Sequence, residues 1–184
     1  ADLFDLLLVR KACDFPVSLL ITYFPYSRMD RTSSDYAFTL KSVCEFINSL
    51  RFEMVRLYEP HSDVAPALLD NCEVHSVTPE LLNRTDYDKE KDFILYPDVS
   101  AHKRYSGIIK TSRELIGIKK RNFTTGKIES LKIIGDWPSN YNPRIFIVDD
   151  LCSKGGTFLM AAEKLKATAR TQEINLVVAH CENT

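Results

Sequence analysis

Apolar runs of four to eight residues recur along the chain, each followed by a polar turn and then by a segment with apolar residues at helical spacing. Residues 1–15 place Leu3, Phe4, Leu7, Leu8 and Ala12 three or four apart, which predicts an amphipathic helix ended by Pro16. Residues 17–24 then form a nearly continuous apolar run, the pattern of a buried strand, and a polar loop of residues 25–31 follows. A second helix is expected over 36–50, with Phe38, Val43, Phe46, Ile47 and Leu50 turned inward. A second strand is expected over 54–58, then a polar turn at 59–63 and a short helix through Leu69. The unit repeats with a short strand at 73–77, a helix starting at 79–84, a charged connector at 85–92 and a strand at 93–96. A polar loop is read over 97–104. Residues 116–119 and 127–134 alternate apolar with polar around a turn at 124–126, which predicts a hairpin or flap. Further strands are expected at 144–148 and 174–179, with a helix at 158–169 between them. Strand, polar loop and helix in repeated order define an α/β fold with a mainly parallel sheet.

The stretch 144–157, R-I-F-I-V-D-D-L-C-S-K-G-G-T, concentrates the chemistry. An apolar strand runs into the carboxylates of Asp149 and Asp150, and a small-residue loop closes on Gly155, Gly156 and Thr157 before a helix. Glycines let backbone amides approach an anion, and a helix start turns free N–H groups toward it. The two carboxylates can accept hydrogen bonds from neighbouring sugar hydroxyls or hold a hydrated cation. A tight βα turn whose acids cap the helix fits the same residues. Ligands of parallel sheets collect beyond the carboxyl ends of the strands. The polar groups expected there are Arg28, Asp30 and Arg31; His61 and Asp63; Asp98, Lys103 and Arg104; and Asp149, Asp150 and the glycine loop. Acids for a cation, bases for phosphates and an anion loop together suit phosphoryl or phosphoribosyl handling. His61 fits a helix cap as well as a metal. His102 and His180 read as peripheral, and Trp137 as packing for the connector ahead of the 144–148 strand.

Composition narrows the classes. The 184 residues are 45% hydrophobic and 27% charged, with a net charge of −1, so no whole-chain field favours nucleic acid or a membrane surface. No apolar run is long enough to span a bilayer and no signal peptide is read. The five scattered cysteines, without a C-x-x-C pair, argue against a disulfide framework or zinc site and for a reducing cytoplasm. Cys152 reads as a small apolar filler. The first residue is Ala and the first segment is already helical, so trimmed ends are expected.

These loops together resemble ribose-phosphate pyrophosphokinase, or PRPP synthetase. Y-F-P-Y-S-R-M-D-R at 23–31 resembles that family's Y-F-x-Y-x-R-Q-D segment, and P-D-V-S-A-H-K-R at 97–104 its P-D-x-G-G-x-K-R. Lys119, Lys120 and Arg121 resemble the start of its catalytic flexible loop, and V-D-D-L-C-S-K-G-G-T its PRPP-binding loop. The matches run in family order along nearly all of the chain. Met29 stands in place of Gln, Ser100 and Ala101 in place of Gly-Gly, and Ser153 and Lys154 in place of Asp-Thr. The family's earlier N-terminal part and longer C-terminal part have no counterpart here.

The resemblance implies phosphoribosyltransferase-like, Rossmann-like three-layer domains in two tandem similar halves, the first incomplete. Residues 1–77 would form the partial N-terminal half and 78–184 the half with the PRPP-binding loop. It implies transfer of the diphosphate of Mg-ATP to the 1-hydroxyl of ribose 5-phosphate, giving PRPP and AMP. Arg28, Asp30, Arg31 and His61 would bind ATP, and His61 and Asp98 would hold Mg²⁺. Asp149, Asp150, Ser153, Lys154, Gly155, Gly156 and Thr157 would bind ribose 5-phosphate. Lys119 and Arg121 would close over the transferring group as the catalytic residues. A homo-oligomer is implied, since the family's subunits share adenine contacts. The alternatives are a type I phosphoribosyltransferase consuming PRPP, which leaves residues 23–31 unexplained, and a non-catalytic synthetase-like regulatory subunit.

Overall fold

The computed structural model describes residues 3–32, 37–121, 128–137, 142–168 and 171–182. Tyr36, the turn read at 124–126, Ala169 and the side chain of Arg121 lie outside the described residues. The chain divides into one unit over Ala1–Ser76 and a second over Val77–Thr184.

The first unit runs α1 (Leu3–Lys11), β1 (Ser18–Ile21), α2 (Thr39–Ser49), β2 (Met54–Tyr58), α3 (Val64–Leu68) and β3 (Cys72–His75). Its sheet has the order β1-β2-β3, parallel throughout. Parallel neighbours need a crossover, which α2 supplies between β1 and β2. Helix α2 buries Leu40, Val43, Cys44 and Ile47, spaced three, one and three residues apart, so one stripe meets the core beside Val55 and Leu57 of β2. Each fully buried leucine or isoleucine of that stripe contributes roughly 1.5–3 kcal/mol over exposure. In α1, Leu3, Leu6 and Leu7 pack on this core, while Phe4 and Leu8 are exposed. β1 is shorter than the apolar run at 17–24, because the chain bends at Thr22 and Tyr23 and Phe24 enters the core from the loop.

The second unit runs α4 (Thr78–Asn83), β4 (Phe93–Tyr96), α5 (Val99–Tyr105), β5 (Glu114–Arg121), β6 (Ile128–Ile134), β7 (Arg144–Cys152), α6 (Gly156–Thr168) and β8 (Glu173–Cys181). The strand order is β6-β5-β4-β7-β8, with β6 antiparallel and the other neighbours parallel. Alternation along β4 and β7 sends Ile94, Tyr96, Phe146 and Val148 to one face, under Leu82 of α4 and Ala101 and Tyr105 of α5. Phe93, Leu95, Ile145 and Ile147 point to the other face, under Phe158, Ala161 and Leu165 of α6. Both faces are covered, which is why these strands read as continuous apolar runs. At the strand starts, Arg144 donates to Asp92 at 3.1 and 2.7 Å and pairs with Asp86.

Other boundaries that bear on the site also differ from the sequence expectation. Most of the polar stretch 97–104 belongs to α5, which has little apolar periodicity but buries Ala101 and Tyr105 four residues apart. It starts because Asp98, in extended backbone, accepts from the Ala101 amide at 3.0 Å as an N-cap. β7 continues to Cys152, so Asp149 and Asp150 lie within the strand rather than beyond it. β8 reaches Cys181, so His180 is a half-buried strand residue. His102 is likewise half-buried, its Nε2 3.2 Å from Glu114 Oε2 and its ring edge-on to Tyr96.

Candidate functional site

In the second unit the candidate residues gather where three adjacent parallel strands end. The β4–β7 register pairs Leu95 with Ile147, so Asp98 falls level with Asp150. The β4–β5 register pairs Tyr96 with Ile116, which brings Lys119 alongside Asp98. Lys119 Nζ lies 2.7 Å from Asp98 Oδ2, and the lysine side chain is only 10% exposed. Asp98 Oδ1 is held by the Ala101 amide. Burial works to raise the pKa of Asp98, but the hydrogen bond and charge of Lys119, with the Ala101 and Ser100 amides, outweigh it and keep the carboxyl below its ordinary value.

The close approach of β5 to the end of β4 depends on Gly117. A Cβ at Gly117 would lie 2.4 Å from the Pro97 carbonyl oxygen and 2.9 Å from its carbon. Only a residue without a side chain lets the strand pass there and deliver Lys119 two residues later. An isolated glycine inside an alternating strand is the available sequence signal for such an approach.

The two aspartates of β7 have separate environments. Asp150 is buried and pairs with Arg104, from the last turn of α5, at 2.8 Å. Asp149 accepts from the Asp150 amide at 3.0 Å. Burial first, then the negative charge of Asp150 and a hydrogen bond with it, then the charge of Asp98, push the Asp149 pKa well above the carboxylate range. The pair therefore divides into a carboxylate anchored by a guanidinium and a carboxyl that keeps its proton more readily.

Past Asp150 the chain passes through Leu151 and Cys152 into Ser153, Lys154, Gly155, Gly156 and Thr157, and α6 begins at Gly156. Gly155 has φ +72°, which a glycine adopts without strain, and a Cβ at Gly156 would meet nothing within 4 Å. Lys154 and Gly156 are exposed. Cys152 and Cys181 are register partners across β7 and β8, and both are free thiols. Burial, followed by the nearby Cys181, raises the Cys152 pKa, which suits the filler reading rather than a reactive thiolate.

The first unit brings together two more of the expected loops. Asp30 is buried and pairs with the exposed Arg31 at 3.2 Å. Burial works to raise its pKa, but hydrogen bonds from Ser62 and Arg31 and the charges of Arg31 and His61 lower it below the ordinary value. The 25–31 loop and the 59–63 turn therefore meet at Asp30. Arg28 and Met29 are exposed on the same loop, and Tyr26 takes a positive φ of 59°. Glu59, also at positive φ, is buried and accepts from Ser76 Oγ at 3.2 Å. Its burial had no signal in the sequence reading.

Among the described residues no group of three or more His, Cys, Asp or Glu side chains could hold a metal ion. Magnesium, however, commonly takes one or two protein carboxylates, water and substrate phosphates rather than a protein cage. Asp98 fits that role once its Lys119 partner gives way. No described helix is long and apolar enough to cross a membrane.

A mainly parallel sheet covered on both faces, with an acid pair and a glycine loop at the carboxyl end of an inner strand, defines the class: a three-layer α/β domain. The chain resembles ribose-phosphate pyrophosphokinases along most of its length. It is 29% identical over 165 residues to ribose-phosphate pyrophosphokinase of Hyphomonas neptunium, covering 86% of this chain and 52% of that protein. With the Marinomonas enzyme of the same name it shares 28% identity over 180 residues, 94% of this chain and 55% of that one. The chain thus spans about half the length of the curated relatives it matches. The crystal structure of phosphoribosylpyrophosphate synthetase from Mycobacterium smegmatis shares the fold, with a TM-score of 0.76 at 16% identity over 97% of this chain and 60% of that one. No family model matches the chain.

Proposed function

We propose that this chain handles Mg-ATP and ribose 5-phosphate as a ribose-phosphate pyrophosphokinase does, transferring the ATP diphosphate to the sugar 1-hydroxyl. The observation that carries the reading is the meeting of Lys119, Asp98, the Asp149–Asp150–Arg104 group and the glycine loop at one end of the second unit's parallel sheet. Amides around Gly155, Gly156 and Thr157, with Ser153 and Lys154, would receive the 5-phosphate. Asp149 and Asp150 would hold the adjacent sugar hydroxyls. A carboxyl whose pKa is raised beside one anchored by a guanidinium would offer the hydroxyls a donor as well as acceptors. The sugar 1-oxygen then bonds to the β-phosphorus as its hydroxyl proton passes to solvent, the bond from that phosphorus to the α-phosphate oxygen breaks, and AMP leaves with the electron pair.

Lys119 supplies positive charge to the oxygens of the transferring group, and Arg121 is assigned the same task. Arg28, Asp30, Arg31 and His61 are assigned to ATP. Magnesium would be held by Asp98 in the second unit, and it would supply neutralisation of the phosphate charge. We also assign a cytoplasmic setting and a homo-oligomeric assembly.

Incubation with Mg-ATP and ribose 5-phosphate tests the reading, with formation of AMP and PRPP expected. Retained ribose 5-phosphate binding without turnover would replace it with a regulatory role. Base-dependent release of diphosphate from PRPP would replace it with a phosphoribosyltransferase.

A further inference from the structure

We propose that Asp98 is also the positioning residue for Lys119, and that the lysine and a magnesium ion occupy this carboxylate in turn. The inference rests on the nucleotide-handling reading above. Both oxygens of Asp98 are engaged: Oδ1 accepts from the Ala101 amide at 3.0 Å, and Oδ2 receives Lys119 Nζ at 2.7 Å. The first contact starts α5 and belongs to the helix. The second is the only one of the two that a side-chain rotation can release.

A magnesium ion bonds its oxygens at about 2.0–2.1 Å. On Oδ2 it would take the place that the ammonium group fills, and the two cations would repel at that range. The lysine backbone cannot retreat with the side chain. β5 is clamped at Gly117 against Pro97, the residue just before Asp98, so the Lys119 Cα keeps its distance from the carboxylate. Only the flexible stem moves. Until the metal arrives, the ammonium is stored on Asp98, largely out of solvent. When the metal takes the carboxylate, the ammonium is released into the same strand-end region, where phosphate oxygens would be its new partners. Lysine suits this exchange because its charge is a compact point on a four-carbon stem rather than a fixed fork. Delivery of the catalytic charge is thereby tied to arrival of the metal.

The test measures metal binding and not only turnover. Mn²⁺ is titrated into the whole chain and followed by electron paramagnetic resonance for wild type, Lys119→Met, Lys119→Gln and Asp98→Asn. Removing the competing ammonium is expected to tighten Mn²⁺ binding about tenfold in both lysine variants, and Asp98→Asn is expected to abolish it. Fluorescence of Trp137 reports that each variant is folded, and the glutamine variant keeps a hydrogen-bond donor for Asp98 if the methionine variant fails that check. In wild type, Mg²⁺ is also expected to shift the Lys119 Cε resonance toward its position in Asp98→Asn. Unchanged or weaker Mn²⁺ binding in a folded lysine variant overturns the proposal, as does absence of Mn²⁺ binding in every form. Competition without any AMP formation supports the exchange and sinks the enzymatic reading. AMP formation with unaltered metal affinity in Lys119→Gln does the reverse.

Discussion

Gly117→Ala is the substitution that tests whether the second unit's site depends on strand spacing. The added Cβ would stand 2.4 Å from the Pro97 carbonyl oxygen, where real Cβ contacts essentially never fall below 3.0 Å. The third neighbour, Leu131 Cδ1 at 3.1 Å, ends a flexible side chain and can yield, but the Pro97 carbonyl is backbone. The strands must therefore part by roughly 0.6 Å before the contact is even tolerable. Overpacking of this kind costs about 1–3 kcal/mol, and the glycine's own conformational penalty offsets only a fraction of that. Pro97 precedes Asp98, so the same displacement stretches the 2.7 Å Lys119–Asp98 pair.

The assay is urea unfolding followed by Trp137, the chain's single tryptophan, which packs in the second unit near Phe93. A fall in midpoint equivalent to about 1–3 kcal/mol is expected. Gly107→Ala, whose Cβ would meet nothing within 4 Å, serves as the control and should shift the midpoint by less than about 0.5 kcal/mol. A Gly117→Ala midpoint as close to wild type as that of the control would refute the close-approach argument.

Three further outcomes are expected. Asp149 has a pKa raised in the folded protein, so its contribution is fully present below the unfolded value near 3.8 and is lost as pH rises through the folded value. Asp149→Asn should therefore be more stable than wild type at neutral pH, by a margin that grows as pH rises from about 4 toward the folded value. The gap should close toward pH 4, and a gap independent of pH would contradict the assignment. Arg104→Met leaves the buried Asp150 without its guanidinium and should cost about 3–5 kcal/mol in thermal or urea unfolding, with partial recovery when Asp150→Asn is added. Lys119→Ala should lower turnover about 10²–10³-fold while ATP affinity changes far less, because its charge is wanted as the phosphoryl group transfers; equal losses in both quantities would remove it from that role.

The apolar runs at 93–96 and 144–148 identified inner strands because residues covered on both faces have little freedom to be polar. The Leu40, Val43, Cys44 and Ile47 stripe announced α2 for a similar reason, since helical spacing and burial coincide on one face. The polar residues flanking the strand ends were likewise legible, as a parallel sheet gathers them at one rim whatever their separation in sequence. Helix α5 was not legible. Its polar residues hide the period, and its start depends on the Asp98 side chain reaching the Ala101 amide. Nor could sequence assign partners within the rim. That Asp98 takes Lys119, that Asp150 takes Arg104 and that the Asp149 pKa is pushed up follow from strand register and from the desolvation each carboxyl meets. Composition and local pattern select which groups a chain carries to a site; distances of a few ångströms between strands decide which charges neutralise one another, because electrostatic energy in a desolvated rim changes steeply over that range.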